Sequence, residues 1–344
     1  MLRYPRLGRG IFSADGKQWE HSRALLRPQF VRDQVSDLDL EERHLQNMLK
    51  ALPVGRDGWT YVTDIQTLNF RLTIDSATEF LFGESVDSQL AALPDHDGSL
   101  KPTKDQDAAF VAAFELSQNC IANAFRMNDW HRLGLTKEYY ANAKICHDYI
   151  DRFVQKALKH HGEKPGKLGE KERYTFLEGL AERTQDPIEI RDQLLSILVA
   201  GRDTTASLLG FLWLMLSQHE EVFNKLRKTV IDEFGPYSST DKISFSSLKA
   251  CSYLQWCMNE TLRLFPTVPL NSRRSTKDTT LPRGGGPDGL SPVFIPKDTE
   301  VNYAIYVVHR HKDFWGPDAD SFKPERWEGR KPGFEYLPFN GGPR

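Results

Sequence analysis

Apolar residues recur at helical spacing through most of the chain. Gln66 to Phe82 keeps apolar positions at that spacing and stops at Gly83, and Ser13-Ala14-Asp15 offers polar groups that start a helix over Trp19 to Leu26. The spacing predicts further helices over about Asp107 to Arg126, Lys137 to His160, Glu220 to Phe234 and Ser246 to Leu264. Between them, Asp87 to Gln106 reads as a polar, Pro-containing loop and Gly162 to Gly169 as a Lys/Gly-rich surface turn. The longest periodic run opens at Pro187, a residue suited to a first helical turn, and continues to about Gln218. After Pro266 the pattern changes. Val293-Phe294-Ile295 and Val301 to Val308 read as short strands, separated by turn clusters such as Gly284-Gly285-Gly286-Pro287. From Trp315 onward Pro, Gly and aromatic residues dominate with little periodicity, and no internal repeat or linker is visible. The expected fold class is mainly α, a helical body with a small β region, read as one domain over residues 1–344.

Composition narrows the function classes. Apolar residues at 39 % and charged residues at 27 % suit a globular chain with a sizeable core. Lys and Arg (45) nearly balance Asp and Glu (47), and no long basic run is present, which argues against nucleic acid as a partner. The four cysteines, Cys120, Cys146, Cys251 and Cys257, form no C-x-x-C pair and read as reduced thiols. Met1 to Arg9 is basic and does not read as a signal peptide. The most apolar stretch, Leu194 to Leu216, is interrupted by Arg202 and Asp203, and its clean part, Leu208 to Leu216, falls short of the roughly 20 residues that span a bilayer. No membrane crossing is expected of these residues.

Four short motifs carry candidate chemistry. Ala200-Gly201-Arg202-Asp203-Thr204-Thr205 sits inside the longest apolar helix, where Gly is worth about 1 kcal/mol less than Ala. Its Thr hydroxyls can compete for the i−4 carbonyl and open the helix, leaving a groove faced by a hydroxyl and a carboxylate. The alternative is a kinked core helix whose Asp203 pairs with Arg202 or another cation. Glu260 and Arg263 share a helix face, as do Glu20/Arg23 and Glu170/Arg173, and such pairs are usually solvated. The apolar neighbours Tyr253, Leu254 and Trp256 set this copy apart and predict a half-buried pair, to which Arg326 of Pro324-Glu325-Arg326-Trp327 can donate its planar fork. Trp19 and Arg23, at i and i+4, present donors only and suit an anionic ligand; the alternative is a core Trp beside a surface Arg. Phe339-Asn340-Gly341-Gly342-Pro343-Arg344 reads as a tight turn with exposed N–H groups, either a loop that approaches a flat cofactor or simply a Gly-rich turn.

In this order and spacing the motifs resemble the cytochrome P-450 superfamily from about Gly8 to Arg344. The resemblance implies the helix-rich P-450 fold, incomplete at both ends here, with haem b between the long helix and the last loop. It implies that Trp19, Arg23, Arg273 and Arg344 bind haem propionates and that Phe339 belongs to the haem-binding loop. Ala200, Gly201 and Thr204 would line the distal oxygen pocket. Asp203 and Thr204 would be the catalytic pair, Thr204 hydrogen-bonding the oxygen under activation and Asp203 delivering protons. Glu260, Arg263 and Arg326 would form a structural triad.

The strings Gly10-Ile11-Phe12-Ser13-Ala14-Asp15-Gly16, His21-Ser22-Arg23, Thr280 to Gly289 and Phe339-Asn340-Gly341-Gly342-Pro343-Arg344 are similar to those of the fungal branch that hydroxylates n-alkanes and fatty acids at the chain end. That implies a long-chain apolar substrate, O2 as co-substrate and electrons from NADPH through a flavoprotein reductase. It also implies an anchored full-length relative at the endoplasmic reticulum membrane. Phe110, Phe114, Phe125 and Trp130 fall where that branch builds its substrate lid, against the alternative of ordinary core packing.

The family motif continues as Phe-x-x-Gly-x-Arg-x-Cys, which places the thiolate ligand of the iron two residues after Arg344. The expectation is an internal segment of a family member whose 344 residues alone do not hydroxylate. The first rival is a haem-free remnant acting as a binding or scaffold protein. The second is a metal-dependent hydrolase built on His309, His311 and Asp313.

Overall fold

The polar cluster ahead of Trp19 does start a helix. Helix α1 spans Gly16–Leu26, with Asp15 at its N-cap in extended backbone. The computed structural model describes residues 7–31, 36–93, 105–162, 175–237 and 242–342. They group into two units, Met1–Ala206 and Ser207–Arg344, and the division falls inside a helix.

In the first unit α1 is followed by α2 (Leu38–Lys50), α3 (Ile65–Phe82), the single turn α4 (Ser88–Ala91), α5 (Asp105–Arg126), α6 (Lys137–Gly162), α7 (Phe176–Ala181) and the start of α8 (Pro187–Gln218). Local chemistry sets several boundaries. Asp37 accepts from the N–H groups of Asp39 and Leu40 to open α2, and Asp64 accepts from Gln66 to open α3. Gly83 ends α3 at φ 80°, where a Cβ is penalised. Thr175 and Glu178 close a reciprocal capping box on α7. The stretch from Asp87 to Gln106, expected as a loop, holds α4 and the start of α5, while its residues 94–104, like 163–169 of the expected turn, lie outside the described residues. Helices α2 and α7 were not predicted. In α2 the buried face is Leu40, His44 and Met48 at helical spacing, a signal interrupted by a histidine and flanked by charged residues, and α7 is only six residues long.

The core of this unit gathers Ile74, Leu81, Phe82, Phe110, Phe114, Ile150, Leu194, Leu195 and Leu198. Phe110 stacks on Tyr149 at 4.1 Å between centroids, and the Tyr149 hydroxyl donates to Asp107 at 2.8 Å. Each such side chain contributes roughly 1.5–3 kcal/mol by leaving water. Phe110 and Phe114 are therefore core residues rather than lid residues, whereas Trp130 is exposed. The side chain of Phe125 lies outside the described residues. Helix α8 is long and apolar enough to pass for a membrane span, and Leu194, Leu195 and Leu198 in its first half are part of this core.

The second unit takes the end of α8, then α9 (Glu220–Phe234), α10 (Phe245–Ala250) and α11 (Ser252–Leu264). The single helix expected over Ser246 to Leu264 is broken at Cys251, whose ψ of 90° leaves the helical region. The apolar spacing runs through the break and conceals it. Strand β1 (Leu270–Arg274) pairs antiparallel with β4 (Glu300–Ala304), setting Arg273 opposite Val301. Strand β2 (Thr279–Gly285) pairs with β3 (Ser291–Ile295), so Gly284 and Gly285 belong to a strand and not to a turn. Its ladder is irregular between Leu281 and Gly285, where Pro282 has no N–H to donate. The strand expected over Val301 to Val308 stops at Ala304 and turns helical over α12 (Ile305–Val308); α13 (Lys312–Trp315) follows. Met215, Leu216, Val222, Leu226, Tyr253, Cys257, Leu264 and Phe322 form one core here, and Trp315, Ala319 and Trp327 another.

Candidate functional site

In the first unit, the helix bearing Trp19 and Arg23 is tied to the start of α8 by buried polar groups. Asp192 accepts from the N–H of Arg9 at 2.8 Å, and Gln193 accepts from the N–H of Ile11 at 3.0 Å. The Gln193 amide also donates to Ser22 at 2.8 Å. Burial raises the Asp192 carboxyl above its ordinary range, against the N–H of Arg9 and the Arg191 guanidinium, which lower it. Gly10 is required here because a Cβ would run into the Ser196 hydroxyl and the Asp192 carbonyl. The Gly10-to-Gly16 string is thus the seat of α1 on α8. Trp19 is half-buried and Arg23 exposed, with the guanidinium 5.6 Å from the indole centroid. Among the described residues neither the indole N–H nor the guanidinium has a hydrogen-bond partner, which leaves their donors for an outside acceptor.

Further along α8, Leu194, Leu195, Leu198 and Ala206 are buried, Gly201 and Thr205 are exposed, and Ala200 and Thr204 are half-buried. Residues four apart share a face, so these accessible positions form a single stripe. The helix stays continuous, and the Thr204 hydroxyl donates to the Ala200 carbonyl at 2.7 Å. A Cβ at Gly201 would meet only Ala77, at 3.9 Å. Nothing inside this unit requires Gly there, although it costs about 1 kcal/mol relative to Ala. Asp203 pairs with Arg202 at 2.8 Å and borders the stripe, on a helix that runs unbroken there and is not opened.

In the second unit Glu260, Arg263 and Arg326 do come together. The Glu260 and Arg263 side chains are fully buried, deeper than the half-buried pair expected, and Arg326 nearly so. Glu260 Oε1 accepts from Arg263 Nη2 (2.8 Å), Arg326 Nε (2.8 Å) and the N–H of Lys323 (2.9 Å). Oε2 accepts from Arg263 Nε (2.8 Å) and the Trp327 indole (3.0 Å). Arg263 uses every N–H it has, because its remaining donors reach the carbonyls of His309, Ala319 and Ser321. Burying an ion costs several kcal/mol, while hydrogen bonds to charged groups return about 1.5–3 kcal/mol each, so this density of bonds is what makes the burial sustainable.

The network reaches the last loop through His309, which the sequence offers only in a rival metal-hydrolase reading. His309 is fully buried, its Nδ1 bonds the Arg263 carbonyl at 3.1 Å, and its Nε2 bonds the N–H of Leu337 at 2.7 Å. The N–H of Leu337 fixes Nε2 as the acceptor, so the ring is neutral with its proton on Nδ1. Burial, above all, holds its pKa down to about 4. The metal-hydrolase reading fails on this geometry: both nitrogens of His309 are engaged, His311 and Asp313 are exposed, and no cluster of metal-ligating side chains exists among the described residues. Trp327 was also missed as a Glu260 partner, although it adjoins Arg326. Beyond Leu337, Asn340 takes a left-handed φ of 63° and accepts from the Tyr303 hydroxyl at 3.0 Å, while Phe339 is exposed. Arg273 lies exposed on β1, 5.5 Å from the Tyr303 ring centroid, and donates to the Ser272 carbonyl at 2.8 Å. Arg344 lies outside the described residues.

Comparison with known proteins agrees with this geometry. The cytochrome P-450 family model matches residues 1–344, and the chain belongs to that family. It is 53 % identical over 345 residues to cytochrome P-450 monooxygenase g430 of a Fusarium species, covering 99 % of this chain and 60 % of the relative. It is 49 % identical over 349 residues to cytochrome P-450 52A1 of Candida tropicalis, covering 99 % and 62 %. A crystal structure of a cytochrome P-450 superposes with a TM-score of 0.75 at 23 % identity, covering 98 % of this chain and 73 % of that one, and shows the same fold. The chain thus spans 60 to 62 % of the length of these two relatives.

Proposed function

We propose that the protein bearing this chain is a haem-thiolate monooxygenase that inserts one atom of O2 at the terminal carbon of an n-alkane or fatty acid. Its electrons would come from NADPH through a flavoprotein reductase, at the endoplasmic reticulum membrane. The observation that carries the reading is the accessible Ala200-Gly201-Thr204-Thr205 stripe, which directly follows the buried Leu194, Leu195 and Leu198 on the same helix, with a glycine that its own unit does not require. Haem, when bound, supplies the dioxygen-activating iron. The chain supplies the rest: Trp19 and Arg23 offer donors that are unpartnered among the described residues and of the kind a propionate accepts, and Thr204 places a hydroxyl on the open stripe next to the Asp203 carboxylate. Arg273, Phe339 and Arg344 are assigned to the haem on the family motif. The aliphatic substrate class rests on the strings shared with the alkane and fatty-acid branch.

We assign the thiolate outside the four cysteines of this chain, because none of them, the half-buried Cys120 included, stands in the Phe-x-x-Gly-x-Arg-x-Cys motif. Cys146, Cys251 and Cys257 are fully buried, and burial raises the thiols of Cys251 and Cys257, the latter to about 12. The ligand is assigned to the loop that opens at Phe339, two residues beyond Arg344. Incubating the natural protein with reductase, NADPH and either hexadecane or palmitic acid tests the substrate reading. The expected result is NADPH-dependent formation of the terminal alcohol or the ω-hydroxy acid. In-chain hydroxylation, or oxidation of neither compound, contradicts it.

A further inference from the structure

We propose that Gln118 is a positioning residue for the Asp203 carboxylate, so that α5 governs the group that supplies protons; this rests on the monooxygenase reading above. Gln118 lies half-buried on α5 and donates its amide N–H to Asp203 Oδ2 at 2.5 Å, while Arg202 Nη1 donates to Oδ1 at 2.8 Å. Arg202 is itself held in place. Its side chain is buried, its guanidinium lies 4.5 Å from the Phe70 ring centroid and 5.7 Å from that of Phe114, and Nη2 stands 3.9 Å from Glu115. Gln118, Phe114 and Glu115 belong to α5 and Phe70 to α3, so α5 contacts both groups that hold Asp203 and shares the seating of Arg202 with α3.

The arrangement has a directional consequence. Both carboxylate oxygens carry a bond from this clamp, and the Thr204 hydroxyl proton points at the Ala200 carbonyl. A carboxylate accepts about four hydrogen bonds, so Asp203 keeps lone pairs for a proton while the clamp is made. Turning the group toward Thr204 loosens the bond from the neutral Gln118 amide before the ion pair with Arg202. Gln118 fixes the resting position of Oδ2 and returns the carboxylate to it, without touching substrate or cofactor.

The test uses Gln118→Leu, which keeps the bulk and removes the donor, together with Asp203→Asn and the double variant, all in the natural protein. One readout is independent of turnover: a double-mutant cycle on the unfolding equilibrium. The expected coupling between the two positions is about tenfold or more in the unfolding constant. Additive effects would show that the bond is not made and overturn the proposal.

The second readout is kinetic. Gln118→Leu is expected to lower kcat about tenfold with substrate KM unchanged, to increase peroxide release and to change the solvent isotope effect. It is expected to have no further effect in the Asp203→Asn background. An equal kcat loss in that background, or a change confined to KM, overturns the positioning role. A natural protein that takes up no haem defeats the monooxygenase reading itself, and with it the proton role of Asp203. A coupling found in such a protein would leave Gln118 a purely structural tie.

Discussion

Replacing Glu260 with Ala is expected to destabilise the second unit by about 3–5 kcal/mol, the typical cost of removing one partner from a buried charge pair. The loss is large because two guanidiniums depend on this carboxylate. Arg263 has no solvent exposure and Arg326 very little, so neither can recover water when its counter-charge goes. The Trp327 indole and the N–H of Lys323 lose their acceptor in the same step. Glu260→Gln keeps the shape but sets an amide N–H against a ring of donors, so it is expected to be destabilised as well, to a lesser degree. Denaturant unfolding measures both, with Glu20→Ala as the control. Glu20 is exposed, and its substitution is expected to shift stability by less than about 0.5 kcal/mol. A Glu260→Ala protein within about 1 kcal/mol of the wild type would contradict the network's role.

The second large effect is on pH. His309 has an ordinary value of 6.5 and is held at about 4 in the folded chain. Between these values the unfolded imidazole is protonated and the folded one is not. The neutral ring's contribution is therefore complete above pH 6.5, declines as the pH falls through that window, and is gone below about 4. At 1.36 kcal/mol per pH unit the window corresponds to about 3 kcal/mol. Carboxylates also titrate in this range, so the test is the difference between wild type and His309→Gln in urea unfolding. That difference is expected to shrink as the pH falls from 6.5 to 4. A difference that does not vary with pH would show that His309 does not titrate as assigned. Because His309 joins the Arg263 carbonyl to Leu337, acid should also loosen the loop that opens at Phe339.

The long helices were legible because each keeps an apolar face over many turns: Pro187 to Gln218 and Glu220 to Phe234 end where the spacing ends. The Glu260–Arg263–Arg326 contact was legible from its apolar setting. What was hidden depends on partners that periodicity does not encode. Arg263 is satisfied by the carbonyls of His309, Ala319 and Ser321, which any residue types could supply. His309 looked like a metal ligand because a His-x-His-x-Asp string carries no sign of burial. Gly10 explains itself only once Asp192 and Ser196 lie against it, and Gln118 only once α5 meets α8. The break at Cys251 was hidden for the opposite reason, since its neighbours keep the spacing of a continuous helix.

The proposed function requires a haem iron held by a cysteine thiolate that is none of the four in this chain. The most direct measurement is the carbon-monoxide difference spectrum of the reduced natural protein, recorded for the wild type and for variants with Cys120, Cys146, Cys251 and Cys257 each replaced by Ser. The expected result is the thiolate-type band in the wild type, retained in every variant that folds. Absence of haem or of that band, or its loss in a folded variant of one of these four cysteines, would contradict the account.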